Sequence, residues 1–578
     1  MNNSPVFRRL AIMVGVSLIL GTILFGSTQM AFGQGKSGQS RLRHVVAFPN
    51  SGTHANADLT GSTNPIAFGT PVVLPSIQPT TISILTNQAF GNAPAPVPST
   101  VSIPAGHWQN AILTITGTQK GVQFDRLLLI WVGNSQIFTG VTPEPTQTGI
   151  SWRVQKDITA YLPLLSGTRT FTTFIDNFVT SVFTGIPVVS VSLSLYPRHD
   201  GDLASVATDQ DQEPADAIVP LTNSPAMVTV HPNNTFTTTL NLPNDITSAH
   251  LDLYAIAQIN DEFWWASTPA FRELEVSIDG KPAGLVWPFP FVYTGGVNPF
   301  LWRPISAINT MDMPAYSLDL TPFAGLLGGQ HTITINVLNN QDFWLLSGSL
   351  FLTENHGQPT SGAVTLDTLS FPTAAQTTTT PLISDTSTTG NSQIDATATQ
   401  QYTIEGTLQS GHETSTASVT SALHFSNDQV LTNPDNWQIV HGFQEVVTNE
   451  SLRDPRGRMS TQHTDETYTI DTAGGFIQNP QSQNAFLLPT NLSQTLNIVR
   501  KDSSPGEPDF QSTLNLSLEA FANLQEGDPS ANIPQVTLGS TTANGNFQTS
   551  NGLSYHLLLA AHAGSVTEDN LQANFTAS

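Results

Sequence analysis

The sequence contains no cysteine among its 578 residues. Disulfide bonds, thiol catalysis and a lipid-modified cysteine are therefore excluded. Charged residues are also scarce, at 11%, and the formal net charge is −24. The sequence has nothing resembling a basic stripe that could neutralise a phosphate backbone, so we expect no nucleic-acid partner. The acidity fits either simple solubility or an acidic medium.

Familiar cofactor and metal motifs are missing as well. The sequence has no HExxH, no CxxC, no Walker loop, no dinucleotide fingerprint and no G-x-S-x-G nucleophile elbow. Its 14 histidines are scattered and none is paired at metal-ligand spacing. We therefore expect no metal and no cofactor. What remains for catalysis is carboxylates with aromatic and amide neighbours, a combination typical of proteins that act on sugars.

The N-terminus reads as an export signal. Arg8 and Arg9 precede an uncharged, mostly apolar run over 10–26, which ends before the small-residue site Ala31–Gly33. We expect residues 1–33 to be a signal peptide, and the protein to be secreted without stable membrane association once the signal is removed. The apolar run is at the short edge for a membrane span, so an uncleaved anchor is the lesser alternative.

The rest of the chain predicts an all-β fold. Thr, Ser, Asn, Gly and Pro are abundant, and short alternating apolar runs are separated by turns. We predict two tandem β-sandwiches of the jelly-roll type and a C-terminal β-rich region. The expected segments are an extended lead-in (34–75), a first sandwich (76–200), a second sandwich (215–357), a Thr/Ser-rich linker (358–400) and the C-terminal region (401–578).

The two predicted sandwiches carry an internal repeat. Residues 157–170 match residues 319–332 without a gap, and the register continues to Asn177 and Asn339. Each copy precedes a final strand. Self-similarity at this spacing indicates two related domains rather than a solenoid, whose repeats are shorter.

Charged residues of the first sandwich stand in unusual places. Asp125 and Arg126 open a wholly apolar strand, which suggests a cleft, although a salt bridge at the strand end is the plainer alternative. Glu144 lies between two prolines that hold its loop rigid, or it is an ordinary exposed loop acid. Asp176 and Asn177 end a strand and form either a site or a turn-capping pair.

A second cluster lies in the other sandwich. Asp261 and Glu262 directly precede the three aromatic residues Phe263, Trp264 and Trp265. Carboxylates can accept hydroxyl protons and aromatic faces can cover a sugar ring, so this stretch is a candidate sugar site. Core aromatics beside a turn are the plainer alternative.

These stretches resemble the peptide:N-glycosidase A family. The similarity covers about residues 65–355 and is weaker beyond residue 400. Its motifs occur in order at Phe124–Arg126, Thr142–Thr146, Trp152, Lys156–Thr159, Asn260–Trp264, Phe271–Glu273, Gly284–Pro290, Tyr293–Gly296 and Asn298–Pro304.

A fainter resemblance to the peptide:N-glycosidase F type implies two docked jelly rolls with a cleft between them. It also implies three catalytic acids, namely Asp125, Glu262 and Asp176, with Glu273 a weaker rival for the place of Glu262. Asp176 is shorter than the Glu of that type, and Phe124 and Phe263 replace tryptophans. The residues expected to bind substrate are Arg126, Glu144, Trp152, Asp261, Trp264 and Trp265.

The resemblance implies hydrolysis of the amide between Asn and the innermost N-acetylglucosamine, with N-glycosylated peptides or glycoproteins as partners and acidic pH as the working condition. A non-catalytic glycan-binding protein or adhesin is the alternative from another class, because fold does not determine function. A glycosidase cutting between the two core sugars is a second alternative, since it too needs two carboxylates.

Overall fold

The computed structural model describes residues 64–92, 95–197, 215–293, 301, 304–381, 391–432, 437–475, 477–482, 485–532 and 536–574. The predicted signal peptide, most of the lead-in, the polar segment 198–214 and parts of two family motifs (294–300 and 302–303) lie outside these residues. No helix in the described part of the chain is long and apolar enough to cross a membrane.

The first sandwich contains eight strands in two antiparallel four-stranded sheets, ordered β1-β8-β3-β6 and β2-β7-β4-β5. This interleaved order is a jelly roll, in which two Greek keys close over one core. Its strands are β1 (Thr80–Ala89), β2 (Val97–Ile103), β3 (Trp108–Gln119), β4 (Leu127–Val132), β5 (Ser135–Val141), β6 (Ile150–Asp157), β7 (Gly167–Ile175) and β8 (Val188–Pro197).

The second sandwich repeats the same order. Its sheets run β10-β17-β12-β15, with β9 added beside β17, and β11-β16-β13-β14. Its strands are β9 (Ala217–Pro220), β10 (Val228–Val230), β11 (Thr235–Leu242), β12 (Ile246–Ala257), β13 (Glu273–Ile278), β14 (Lys281–Val286), β15 (Tyr316–Asp319), β16 (Gly329–Leu338) and β17 (Trp344–Glu354).

The internal repeat encodes the same corner in both sandwiches. Asp157 Oδ1 accepts from Thr159 N at 2.8 Å, and Asp319 Oδ1 accepts from Thr321 N at 2.8 Å. A short 3-10 helix follows each corner, over Thr159–Leu164 and Thr321–Leu326, and leads into β7 or β16. The Asp-x-Thr pattern therefore recurs because one short side chain satisfies the backbone N–H two residues on.

The C-terminal region forms one sheet of twelve strands. The main path runs from β18 through β20–β23 and β25–β29, while β19 pairs with β20 and β24 pairs with β25. The strands are β18 (Thr360–Asp367), β19 (Gln376–Pro381), β20 (Ser392–Ser410), β21 (Glu413–Thr432), β22 (Trp437–Arg453), β23 (Met459–Gly475), β24 (Ile477–Gln478), β25 (Phe486–Ser503), β26 (Phe510–Glu526), β27 (Val536–Thr549), β28 (Ser554–His562) and β29 (Ser565–Asn574).

The fold class predicted from sequence is confirmed: the chain is nearly all β, with two jelly rolls followed by a β-rich region. The prediction of a linker over 358–400 is wrong where the segment is described, because β18, β19 and the start of β20 lie in it. Thr-rich segments are ambiguous by composition, since threonine is common in strands as well as in linkers. Here pairing with β20 decides the outcome.

Two hydrophobic cores organise the molecule. One lies in the first sandwich, with Met311 and Phe351 packed into it from the second. The other is shared by the second sandwich and the C-terminal sheet, and it also takes in residues of β4 and β5 such as Leu129 and Trp131. Aromatic pairs join the latter two units, such as Phe271 with Phe425 at 5.2 Å and Phe289 with Tyr468 at 5.1 Å between ring centroids. The C-terminal sheet is therefore packed against the second sandwich as part of the same core.

Candidate active site

Asp125 lies in the loop that enters β4, a strand whose six residues are all buried. Its own side chain is half-buried. Burial raises the pKa of Asp125 well above its ordinary value, and the nearby Glu262 and Glu144 raise it further, while Arg126 lowers it. Asp125 therefore faces carboxylates of its own sandwich and, through Glu262, one of the second sandwich.

Arg126 is held by its neighbours in the first sandwich. Its Nη2 donates to Gln123 Oε1 at 2.5 Å, and its guanidinium lies 4.1 Å from the centre of the Phe178 ring. Its backbone N–H donates to Thr142 Oγ1 at 3.0 Å. Burial lowers the pKa of Arg126, whereas Asp176, Asp125 and Glu144 raise it, so this cation stands among three carboxylates.

Asp176 follows β7, and its Oδ1 accepts from Leu127 N at 3.0 Å. Burial raises the pKa of Asp176 to about 6, although Arg126 lowers it. The adjacent Asn177 is fully buried and donates to Phe90 O at 2.8 Å and to Gly185 O at 3.1 Å. Asp176 therefore belongs to the charged cluster, whereas Asn177 stabilises the surrounding loops through hydrogen bonds.

Glu144 is 4% exposed and takes part in the electrostatics of both Asp125 and Arg126. The alternative of an ordinary exposed loop acid is therefore wrong. Pro143 and Pro145 on either side are buried as well, so the whole turn is directed inward. Two prolines limit the backbone conformations of this turn and keep the Glu144 carboxylate in place.

Glu262 is the contribution of the second sandwich. It lies between two short 3-10 helices, Ile259–Asp261 and Trp264–Ala266, that follow β12. Burial raises the pKa of Glu262 to about 7. Glu262 and Asp125 belong to different sandwiches, so this part of the cluster exists only because the two units are docked.

Tyr293 joins the cluster, although sequence reasoning gave it no role. Its hydroxyl donates to Ala257 O at 3.1 Å and it is 4% exposed. Burial raises the pKa of Tyr293 well above its ordinary value, and Glu262 and Asp125 add to the effect. Its place in the family motif Tyr293–Gly296 was the available signal, but tyrosine alone did not distinguish a site residue from a core residue.

The cluster can perform acid–base chemistry. Four carboxylates and one guanidinium in one region cannot all be charged without strong repulsion, so protons are held there at pH values where free carboxylates are ionised. Neighbouring carboxyl groups of which one holds a proton and the other does not supply an acid and a base side by side. Among the described residues, no group of His, Asp and Glu side chains is arranged to hold a metal ion.

Comparison with known proteins identifies the family of the chain. The model of the family described as peptide N-acetyl-beta-D-glucosaminyl asparaginase amidase A matches residues 71–270 and 266–368. The chain belongs to this family. It is 28% identical over 474 residues to the peptide-N4-(N-acetyl-beta-glucosaminyl)asparagine amidase A of Prunus dulcis, covering 75% of this chain and 81% of that protein.

Solved structures give weaker matches. PNGF-II is 17% identical, with a TM-score of 0.35 over 48% of this chain and 66% of its own. PNGase F from Flavobacterium meningosepticum is 15% identical, with a TM-score of 0.32 over 48% of this chain and 97% of its own. At TM-scores this low, neither structure supports an argument about this member of the amidase A family. The jelly-roll assignment rests on its own sheet order.

Three residues of the second sandwich were expected to bind substrate, and the structure uses them otherwise. Asp261 is fully buried; its Oδ1 accepts from Arg272 Nη2 at 2.6 Å and its Oδ2 from Trp344 Nε1 at 2.8 Å. Trp264 and Trp265 are 3% and 1% exposed and belong to the shared core. The expectation is wrong for all three, because a saturated carboxylate and two buried indoles have no free face for a ligand.

The structure also changes the expectations for Trp152 and Glu273, because both side chains are buried. Trp152 is 4% exposed and lies in the core of the first sandwich, over Gly117, so it is a packing residue of this family member. Glu273 is fully buried, and its carboxylate accepts from Trp287 Nε1 at 2.8 Å and from Thr373 N at 3.0 Å. Glu273 therefore fastens β13 to the segment before β19 and is no rival to Glu262.

Proposed function

We propose that this protein hydrolyses the amide bond between asparagine and the innermost N-acetylglucosamine of N-linked glycans. Membership of the amidase A family and the name of the Prunus dulcis relative support the reaction class. The observation that carries the proposal is the pairing of Asp125 with Glu262, one acid from each sandwich, beside Arg126. A paired base and acid with an adjacent cation can activate water, protonate the leaving nitrogen and stabilise the oxyanion in amide hydrolysis.

In the proposed reaction, Asp125 takes a proton from water, whose oxygen attacks the carbon of the side-chain amide. Arg126 orients Asp125 or stabilises the negative charge that develops on the amide oxygen. The carbon–nitrogen bond then breaks, and the nitrogen leaves with a proton supplied by Glu262 or Asp176. The products are a peptide carrying Asp and a glycosylamine, which water converts to ammonia and free glycan.

We propose that the Asp125–Glu262 pair works while holding one proton. Glu262, with its pKa raised to about 7 by burial, is still protonated in mild acid and can donate. Arg126 lowers the pKa of Asp125, whereas burial, Glu262 and Glu144 raise it, so the two coupled carboxyls share one proton over a range of pH. Activity then falls at high pH as the pair loses its remaining proton and falls at low pH as both carboxyls become protonated. This supports a working range on the acidic side of neutrality.

Secretion is a separate part of the proposal. It rests on the basic, apolar and small-residue regions of residues 1–33. N-terminal sequencing of the protein recovered from culture medium tests it. A mature N-terminus just after Gly33 is expected, whereas an intact Met1 in the membrane fraction would show an uncleaved anchor.

The amidase proposal is tested by mass spectrometry of a defined glycopeptide incubated with the purified protein at about pH 4 to 7, the range that brackets the ordinary and raised carboxyl pKa values. Conversion of Asn to Asp, with uptake of ¹⁸O from labelled water into the new carboxylate, is expected. A peptide that keeps one N-acetylglucosamine would establish the glycosidase instead. An unchanged glycopeptide that binds the protein would establish the glycan-binding alternative.

A further inference from the structure

Buried amide side chains of the C-terminal sheet donate hydrogen bonds to the backbone of the segment that follows Glu262. Asn427 Nδ2 donates to Trp265 O at 2.8 Å, Gln429 Nε2 to Ser267 O at 2.9 Å, and Gln438 Nε2 to Ala266 O at 2.9 Å. Each of the three amides is 1% exposed. Three consecutive backbone carbonyls are therefore satisfied by a unit more than 150 residues away in the chain.

The three amides also bind one another, and we call them the amide ladder. Gln429 Nε2 donates to Asn427 Oδ1 at 2.8 Å, and Gln438 Nε2 donates to Gln429 Oε1 at 3.0 Å. Asn427 and Gln429 lie on β21, whereas Gln438 lies on the neighbouring β22. Connected polar networks in a buried setting hold a single geometry, because any shift leaves a donor or acceptor without a partner.

Glu262 lies between the amide ladder and a second anchor. Directly before it, Asp261 is bound to Arg272 and Trp344 of the second sandwich. Two residues further back, Ile259 has φ +56°, which is costly for a β-branched residue. Such a conformation persists only where the surroundings impose it, and at this segment they do so from both ends.

We propose that the amide ladder of Asn427, Gln429 and Gln438 positions Glu262 for the reaction, so that the C-terminal sheet is a working part of the active unit. The inference rests on the proposed function and assigns the last third of the chain a role in it. The three amides bind backbone carbonyls and are buried, so they act through the segment that carries Glu262. They are positioning residues.

Gln429→Met in the full-length protein tests the proposal. Loss of the ladder allows Glu262 to shift, and a displacement of about 1 Å in an active site costs roughly 100-fold in rate. We expect kcat to fall by about 10- to 100-fold with KM changed by less than about threefold. We also expect the effect to be non-additive with Glu262→Gln, because both changes disable the same group.

Gln444→Met is the matched control. Gln444 is a buried amide of the same sheet, 2% exposed, and donates to Trp287 O at 3.0 Å, away from the segment that carries Glu262. It should lower the melting temperature as Gln429→Met does, with kcat kept within about twofold of wild type, as expected for a site without coupling to the reaction. If Gln429→Met does not unfold cooperatively, Gln438→Met replaces it with the same expectations.

Wild-type kcat in the folded ladder variant, or full additivity with Glu262→Gln, would overturn the proposal. Hydrogen exchange of residues 262–267 supplies a readout that does not depend on activity. Exchange there should accelerate in Gln429→Met and stay at the wild-type rate in Gln444→Met. An inactive wild-type protein with this exchange pattern would refute the amidase function alone, whereas equal exchange in both variants would refute the positioning role.

Discussion

Lys156 Nζ lies 2.7 Å from Asp312 Oδ1, and this ion pair joins the two sandwiches. Lys156 belongs to β6 of the first sandwich, whereas Asp312 lies between β14 and β15 of the second. Around the pair, Val141 N donates to Thr310 O at 3.2 Å, so backbone contacts run beside it. The ion pair therefore helps to hold together the two sandwiches that carry Asp125 and Glu262.

Replacing Lys156 by Met should lower stability by about 2–3 kcal/mol, less than the roughly 3–5 kcal/mol cost of breaking a fully buried pair, because the uncompensated Asp312 is partly exposed. Urea denaturation measures the change. The double variant Lys156→Met, Asp312→Leu should recover part of the loss, since two apolar side chains leave no unpaired charge. A single variant within about 0.5 kcal/mol of wild type, as for an ordinary surface substitution, would contradict the role.

Asp125→Asn should reduce kcat by about 10²–10⁴-fold, the range that a general base contributes. The fold should remain, because the substitution removes a buried charge and keeps the shape of the side chain. Kinetics on a glycopeptide and a thermal melt are the two measurements. Asp454→Asn, in the exposed turn between β22 and β23, is the matched control and should keep wild-type kcat. Substantial turnover by the Asp125 variant would remove Asp125 from the role of base.

Gln123→Met should move the acid limb of the pH–rate profile to higher pH. Gln123 is fully buried and accepts from Arg126, which lowers the pKa of Asp125 and Asp176. A displaced Arg126 no longer favours the ionised forms, while burial and the neighbouring acids Glu262 and Glu144 still oppose ionisation. The pH dependence of kcat/KM is the measurement.

Gln136→Met provides the comparison for that variant. Gln136 is also buried in the first sandwich, but it donates to Thr139 Oγ1 on its own strand. It should lose stability without moving the acid limb. An unchanged acid limb in Gln123→Met would show that Gln123 does not control the position of Arg126.

The protein should be more stable at pH 5 than at pH 8. Burial raises the pKa of Asp176 and Asp252 to about 6, of Glu262 to about 7 and of Glu450 to about 8. A carboxyl with a raised pKa binds its proton more tightly in the folded state. Its stabilisation is complete below the unfolded value near 4 and is lost as pH rises to the folded value, by up to about 1.4 kcal/mol per pH unit for each group.

One buried histidine changes the stability of the protein with pH in the opposite direction. Burial lowers the pKa of His250 to about 4, so stability falls as pH drops below the unfolded value of about 6.5. Urea denaturation at pH 5 and pH 8 measures the balance, and Glu450→Gln should narrow the difference. Equal or greater stability at pH 8 would refute the expectation.

Local signals in the sequence predicted the site only in part. The unusual charges at Asp125 and Arg126 and the proline-bracketed Glu144 mark residues that the structure does bring together. Asp261 and Glu262 are adjacent and chemically alike, yet one is a buried anchor and the other faces Asp125. Nothing in their local pattern distinguishes them, because the distinction comes from Arg272 and Trp344 further along the chain.

By itself, the sequence determined the β character of the chain, the duplication of the sandwich and the acids that form the cluster. These features depend on alternation, turn residues and short motifs, which act over a few residues. Only the tertiary structure decided that Trp152, Trp264 and Trp265 are core residues, that Tyr293 joins the acids, and that the C-terminal sheet holds the segment after Glu262. Those outcomes depend on partners from other strands and other units of the chain, and the burial and hydrogen bonding that such partners impose leave no local periodicity to read.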